Sequence, residues 1–451
     1  MAASSSAAEE EGLEKASAAR QFFEDFYSAT GSYVVGRINR YTELQNRIDS
    51  GELSGAAAEA ARDEFALAER RFLRQRRKRI KLHDFDLIKM VGKGGYGEVY
   101  LVRKKDTTEV LALKKMKKSA ILKSQTEITH LRTERNVLAN QQSRWLVQMV
   151  YSFQDAANVY MAMEFVHGGD VRTRLTAVDT LSEADARFYI AEMFLSVDAL
   201  HQAGYIHRDL KPENFLIDSN GHIKLTDFGL SKGNMLTIQS QTMKRGMLPS
   251  SKDGDRRSIG ARKRVFGSIK RNARELAFSL VGSPDYMAVE MLRGEGYDFS
   301  VDYWALAAIL FEMIVGFAPF ADDDIEAVFR NIFNHEVTLN FPDIYTYMSH
   351  EAWDLITSIL KEPADRLGKG GISEIKSHQF FDSIAWKALG TESGPSPPWV
   401  PELSDDTDTR YFDVYEEDPN AVAAEDAADA DAKFQAFPAF TFKRRRPDAS
   451  S

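Results

Sequence analysis

The chain has 451 residues, 43% of them hydrophobic, enough for two or more folded units with substantial cores. It contains no cysteine, which excludes disulfides, thiolate zinc sites and cysteine nucleophiles and fits a reducing interior. The net charge of −9, from 58 basic and 67 acidic residues, conceals strong local sorting. Arg70 to Lys81 holds eight basic residues in twelve, Met235 to Glu275 has eleven basic against three acidic, and Glu402 to Asp431 has twelve acidic against one basic. Such blocks read as solvated or interaction surface rather than core.

The opening MAASSSAAEEEGLEK lacks the basic-then-apolar order of a signal peptide, and no apolar run approaches a membrane span. Residues 1–19 are therefore expected to be a disordered leader on an intracellular protein. From Arg20 to about Leu82, FFEDFY, VVGRINRY, ELQNRI and an Ala-rich stretch carry apolar residues at helical spacing, predicting two or three amphipathic helices over 20–83. At Phe85 the period shortens. DLIKMVG, GEVYLVRKK and VLALKKM, with a turn at DTTE, predict three consecutive antiparallel strands. A long helix runs through about Ala139, with strands next at WLVQMVYSF and NVYMAMEF.

Beyond Gly168-Gly169 the chain becomes mainly helical, TLSEADARFYIAEMFLSVDALHQAG being a clear amphipathic helix. The expected fold class is α+β, with a small strand-rich lobe over 84–167 and a larger helical lobe over 168–381. Ser231 to Ala277 is polar, basic and aperiodic, so an insertion is placed at about 233–277. GPSPPWVPEL begins an extended tail over 382–451, within which AVAAEDAADADAK is of low complexity and expected to be disordered.

The stretch VGKGGYGEVYLV, from Val91, is either a tight hairpin or a cradle for phosphate, and alone it does not say which. The motifs downstream of it decide. LALK ends at Lys114, HLRTERNVLA holds Glu134, and then come HRDLKPENFL (His207 to Leu216), DFG (Asp227 to Gly229) and AVE (Ala288 to Glu290). In this order and spacing they resemble the eukaryotic protein kinase signature set, over about Phe85 to Phe381.

The resemblance implies a bilobal kinase using ATP and two magnesium ions. Phosphoryl transfer asks a protein mainly to position a triphosphate against a hydroxyl and to neutralise charge. Gly92, Lys93, Gly94, Gly95, Tyr96 and Gly97 would form the lid over the phosphates, glycine letting the backbone come close. Lys114 would hold the α- and β-phosphates, oriented by Glu134. Asp227 and Asn214 would each ligate magnesium. Asp209 would take the hydroxyl proton, and Lys211 would steady the γ-phosphate. Val91, Val99, Ala112 and Leu216 would enclose the adenine, with Met163 as gatekeeper, Glu164 to Val166 as hinge, and Asp170 and Phe412 completing the pocket. Leu138, Met149, His207 and Phe228 would stack as a column anchored on Asp302.

FPAFTFK (Phe437 to Lys443), after PPWVP and DTRYFD, resembles the hydrophobic motif and tail of AGC kinases. That implies Phe437, Phe440 and Phe442 docking on the small lobe, with Thr441 as a phosphosite. The basic insertion and the helical, basic segment before the kinase region resemble the NDR/LATS branch; ENFLID and GGDVRTRL look most like its fungal mitotic-exit and septation kinases. The branch implies an autoinhibitory insertion, a Mob-family adaptor bound through about 20–83, an upstream activating kinase, and cytoplasmic, spindle-pole, division-site or nuclear pools. Ser279 aligns with the loop phosphosite, where a phosphate would pair with Arg208 and Lys232. For the basic helix end at Arg70 to Lys81, a solvated surface, a nuclear-import signal and nucleic-acid binding are the alternatives; the last lacks aromatic interleaving.

Substrate choice is implied by the same resemblance. Asp170, Glu213 and Glu312 match the positions that receive arginines upstream of the phosphoacceptor. Leu280, Pro284 and Met287 would line the next subsite, and Ser283 would bond the Asp209 and Lys211 pair. The KPEN form with Lys211 indicates serine or threonine. Two departures stand out: Val289 replaces the proline of the usual APE, leaving Glu290 to pair with Arg366, and Ala307 replaces a common glycine. A catalytically dead scaffold of the same fold is the alternative, although Lys114, Glu134, Asp209, Asn214 and Asp227 are all present.

Overall fold

The computed structural model describes residues 35–77, 79–94, 97–233, 284–340, 343–415, 437 and 440–444. The leader, the hairpin tip Gly95-Tyr96, nearly all of the basic insertion, Ser279, Leu280, Ser283 and the low-complexity tail lie outside them. The chain divides into two compact units, Met1–Asp84 with Phe437–Thr441, and Phe85–Ala436 with Phe442–Ser451.

In the first unit, helix α1 (residues 35–49) is followed by α2 (Ala56–Arg77), and the two run back alongside each other. Tyr41 meets Phe65 at 5.8 Å between rings, and Arg40 donates to the buried carboxylate of Glu69 at 2.6 Å. Phe437 and Phe440 are buried in this unit, 6.1 Å apart, while Thr441 is exposed.

The second unit begins with β1 (Phe85–Gly94), β2 (Gly97–Lys104) and β3 (Val110–Lys117), successive antiparallel strands as the period-two pattern requires. A single-turn helix α3 (Lys118–Ile121) leads to α4 (Gln125–Asn140), whose first turn is capped by the Ser124 hydroxyl accepting from the Thr126 amide at 3.2 Å. Strands β4 (Met149–Gln154) and β5 (Asn158–Glu164) complete the sheet. The run WLVQMVYSF is not one strand. Val147 donates to the Leu225 carbonyl and Leu225 to that of Trp145, so this segment pairs with the larger lobe and β4 starts only at Met149.

Next come α5 (Val171–Val178), α6 (Glu183–Gln202), and the short strands β6 (Tyr205–Ile206), β7 (Phe215–Ile217), β8 (Ile223–Leu225) and β9 (Lys232–Gly233). Beyond the insertion lie α7 (Val289–Arg293) and α8 (Ser300–Val315), then α9 (Ile325–Phe333), α10 (His335–Thr338), α11 (His350–Ile359) and α12 (Ile372–Lys376). Helix α8 is largely apolar and almost wholly buried, with Asp302 and Glu312 as its buried charges, so it lies in the core of the helical lobe. Burying Trp304 or Phe311 there stabilises the fold by about 1.5–3 kcal/mol each. Finally β10 (Phe442–Lys443) adds to the sheet edge, giving the order β1-β2-β3-β5-β4-β10. The helical lobe and the antiparallel sheet together make the expected α+β bilobal kinase fold.

Candidate active site

Lys114 stands on β3 between Val99 of β2 and Met161 of β5, so the sheet fixes its direction. Its Nζ donates to Glu134 Oε1 of α4 at 2.6 Å. Burial works against charge on Lys114, but Glu134 and then Asp227 outweigh it and hold the ammonium above its ordinary range. Burial alone would likewise push the Asp227 carboxyl up. Lys114 first, then His207 and Lys211, overcome it and hold Asp227 below the ordinary aspartate range.

Asp302, at the start of α8 and 1% exposed, organises the loop that carries Asp209. Its carboxylate accepts the His207 and Arg208 amides at 2.8 Å each and lies 2.7 Å from His201 Nε2. Burial opposes this charge too, but His201 and the converging amides keep the Asp302 pKa low. The clamp holds Arg208 at φ 73°, a left-handed conformation that a long side chain adopts only under constraint; Asp227 likewise stands at φ 61°.

Asn214 lies in the turn Pro212–Asn214, and its Nδ2 donates to the Asp209 carbonyl at 2.6 Å, which leaves Oδ1 as the acceptor for a cation. Lys211 Nζ donates to Asp209 Oδ2 at 3.1 Å. His207 and Phe228 rings meet at 5.8 Å, and Leu138 and Met149 are buried.

The three described loop glycines separate into two kinds. A Cβ on Gly97 would lie 2.1 Å from the Lys115 carbonyl, so the approach of β2 to β3 itself demands glycine. At Gly94 a Cβ would meet nothing within 4 Å, and at Gly92 only Val99 at 3.5 Å. Nothing in the protein's own packing asks for glycine at those two positions. Lys93 pairs with Glu98 across the hairpin.

Under this hairpin, Val91, Leu101 and Phe165 form an apolar cluster with Val99, Val110, Ala112 and Phe412. The Phe412 and Phe165 rings are 5.2 Å apart. Met163 pairs with Ala112, Val166 is buried, and Leu216 bridges Asp170. Glu164 accepts from the Gln148 amide at 2.9 Å and from Lys224 at 3.0 Å, tying the end of β5 to the segment before β4 and to β8. Asp170 caps α5 by accepting the Thr173 amide at 2.7 Å.

No motif in the chain signalled how the tail is held. Asp406 takes both terminal nitrogens of Arg103 at 2.9 and 3.0 Å, Thr409 accepts from Lys89 at 3.1 Å, and Arg174 stacks over Trp399 at 4.6 Å. The tail thereby carries Phe412 to the apolar cluster, passing so near Gly169 that a Cβ there would lie 2.5 Å from the Tyr411 carbonyl.

At the foot of the activation segment Glu290 and Arg366 form a buried bidentate pair at 2.6 and 2.8 Å, so Val289 costs the pairing nothing. Pro284 is buried, and Met287 lines a small recess with Asp209. Arg208 donates to the Leu230 carbonyl at 2.6 Å and the Tyr297 hydroxyl at 3.1 Å. Glu213 and Glu312 are brought together with an arginine that sequence reasoning passed over, Arg172.

Among the described residues no cluster of three or more His, Cys, Asp or Glu could hold a metal by itself. The oxygens of Asp227 and Asn214 fit magnesium instead, a hard cation that takes one or two protein oxygens and completes its shell with phosphate and water. The protein kinase domain model matches residues 85–246 and 265–381.

The chain belongs to the protein kinase family. It is 40% identical over 408 residues to the serine/threonine-protein kinase DBF20 of Saccharomyces cerevisiae, covering 87% of this chain and 71% of the relative. It is 44% identical over 360 residues to the serine/threonine-protein kinase sid2 of Schizosaccharomyces pombe, covering 77% and 58%. Against the cell cycle protein kinase DBF2 of S. cerevisiae it is 40% identical over 413 residues, covering 88% and 71%. The alignments thus span 58% to 71% of these relatives' lengths. This is a serine/threonine-protein kinase of the NDR/LATS type. Among the described residues of the kinase, no helix is long and apolar enough to cross a membrane.

Proposed function

We propose that this kinase transfers the γ-phosphate of ATP to serine or threonine in proteins carrying an upstream arginine, under control of a Mob-family adaptor and two phosphorylations. The observation that carries the proposal is the Lys114–Glu134 ion pair at 2.6 Å, with Asp227 held ionised beside it. Magnesium, when bound, supplies positive charge that offsets the charge of the triphosphate. Asp227 and Asn214 Oδ1 are the atoms that would hold it.

Lys114 positions the α- and β-phosphates, and Gly92 and Gly94 admit the phosphates to the backbone amides, which would explain glycine where packing does not require it. The substrate hydroxyl oxygen attacks the γ-phosphorus, the bond to the β-bridging oxygen breaks, and the hydroxyl proton passes to Asp209 as ADP leaves. Lys211 holds Asp209 and steadies the transferring group.

Regulation acts through the same residues. Phosphate on Ser279 would draw Arg208 from its contacts with Leu230 and Tyr297 and order the loop; phosphate on the exposed Thr441 would do the same for the tail. Residues 20–83, with their basic run from Arg70, would take the adaptor, and the basic insertion would restrain the unphosphorylated enzyme. Asp170 would take the substrate arginine beside the acidic pair Glu213 and Glu312, with Leu280, Pro284 and Met287 below the next residue. A role in mitotic exit or cytokinesis, at spindle poles or the division site, is supported by relatives such as the cell cycle protein kinase DBF2. Radiolabelled transfer from ATP to an Arg-x-x-Ser peptide, with and without a Mob adaptor, tests the proposal. Stimulation by the adaptor is expected; no transfer by the adaptor-bound, doubly phosphorylated kinase would overturn it.

A further inference from the structure

Arg172, on the first turn of α5, reaches into the acidic site. Its Nε donates to Glu213 at 3.1 Å and its Nη1 to Glu312 Oε1 at 2.5 Å. Nη2 donates to the Tyr286 hydroxyl at 2.5 Å and to Glu312 Oε2 at 3.4 Å, and Tyr286 donates to that same oxygen at 2.6 Å. Both oxygens of Glu312, whose side chain is 8% exposed, are therefore already engaged. Burial and the neighbouring Glu312 carboxylate keep the Tyr286 hydroxyl protonated, so it stays a donor.

A guanidinium makes few such planar, bidentate contacts by accident, and a second cation arriving at Glu312 would have to displace the first. Asp170 lies outside this arrangement. Beside the cluster is an open groove of about 290 Å³, bounded by Arg172, Leu175, Asp179, Glu312, Val315 and the half-exposed Phe317.

We infer that Arg172 is a specificity-determining residue: it fills the Glu213–Glu312 subsite from within, so that the kinase selects one upstream arginine in its substrate rather than two. This rests on the proposed preference for basic substrates. With Arg172 removed, the Glu312 carboxylate loses the cation that occupies both its oxygens and is left to face the neighbouring groove, which has room for the stem and guanidinium of a second substrate arginine.

The test compares kcat/KM for serine peptides carrying none, one or two upstream arginines, the arginines being scanned over each upstream position. The adaptor-bound wild type, Arg172→Met and Arg172→Lys are each measured, and ratios taken within one enzyme cancel any change in overall activity. The wild type should favour one arginine over none and gain less than about twofold from a second, whereas Arg172→Met should gain about tenfold or more from it. Arg172→Lys, retaining the charge but not the planar fork, should fall between the wild type and Arg172→Met. A wild type that selects two separate upstream arginines overturns the inference without use of any variant, as does an unchanged ratio in Arg172→Met. If the wild type transfers phosphate equally well to peptides with no arginine, the preference for basic substrates fails and the inference with it.

Discussion

Arg444 Nη2 donates to the Leu138 carbonyl at 2.7 Å, joining the C-terminal tail to the last turn of the helix that carries Glu134. The same guanidinium reaches the carbonyls of Ala139, Gln141 and Met149, at 3.3, 2.9 and 2.7 Å. Carbonyls at a helix end lack intrahelical donors, and a cation there also meets the negative end of the helix dipole. Replacing Arg444 with alanine should lower kcat/KM about tenfold or more, in keeping with the loss of charged hydrogen bonds worth about 1.5–3 kcal/mol. Hydrogen exchange should quicken at the end of α4 and along β4; unchanged exchange there would rule out the clamp.

The two kinds of loop glycine should respond differently to alanine. Gly97→Ala forces a Cβ against the Lys115 carbonyl and should destabilise the small lobe by about 1–3 kcal/mol. Gly94→Ala meets open space, so stability should change by less than about 0.5 kcal/mol while KM for ATP rises. Thermal melts alongside ATP titrations check both halves.

Arg366 and Glu290 are 0% and 1% exposed at their side chains. Arg366→Ala leaves a buried carboxylate without its partner, at an expected cost of about 3–5 kcal/mol. Urea unfolding measures this directly. A cost below about 1 kcal/mol would mean that the pair does not hold the base of the activation segment.

Acid should weaken the catalytic loop through Asp302. A carboxyl whose pKa is depressed by folding contributes stability that is fully present above its unfolded value of about 3.9 and is lost as pH falls through the folded value. Asp302→Asn should therefore be less stable at neutral pH and show a shallower loss of stability below about pH 4. Urea midpoints from pH 3 to 7 for both proteins check the sign; parallel curves would contradict it.

How much of the fold and site was legible depends on distance along the chain. Strand periodicity and the spacing of Lys114, Asp209 and Asp227 are local patterns, and the structure brings Lys114, Glu134 and Asp227 together as the kinase resemblance implies. Arg172 was not legible, because Glu213, Tyr286 and Glu312 stand 41, 114 and 140 positions away. The Arg103–Asp406 strap joins residues 303 apart, and nothing in a run of acidic tail residues marks which one will meet a base. Trp145 to Val147 misled for a related reason: an apolar run does not say whether it will pair with the next strand or with Leu225 in the other lobe.

Phosphoryl transfer through Asp209 is tested by kcat for Asp209→Asn at saturating ATP, measured with ATP affinity on the same preparation. Loss of the proton acceptor should lower kcat by about 10²–10⁴ while leaving ATP binding within about twofold. A variant that transfers phosphate at the wild-type rate would show that the group held by Lys211 and Asn214 is not the one that accepts the hydroxyl proton.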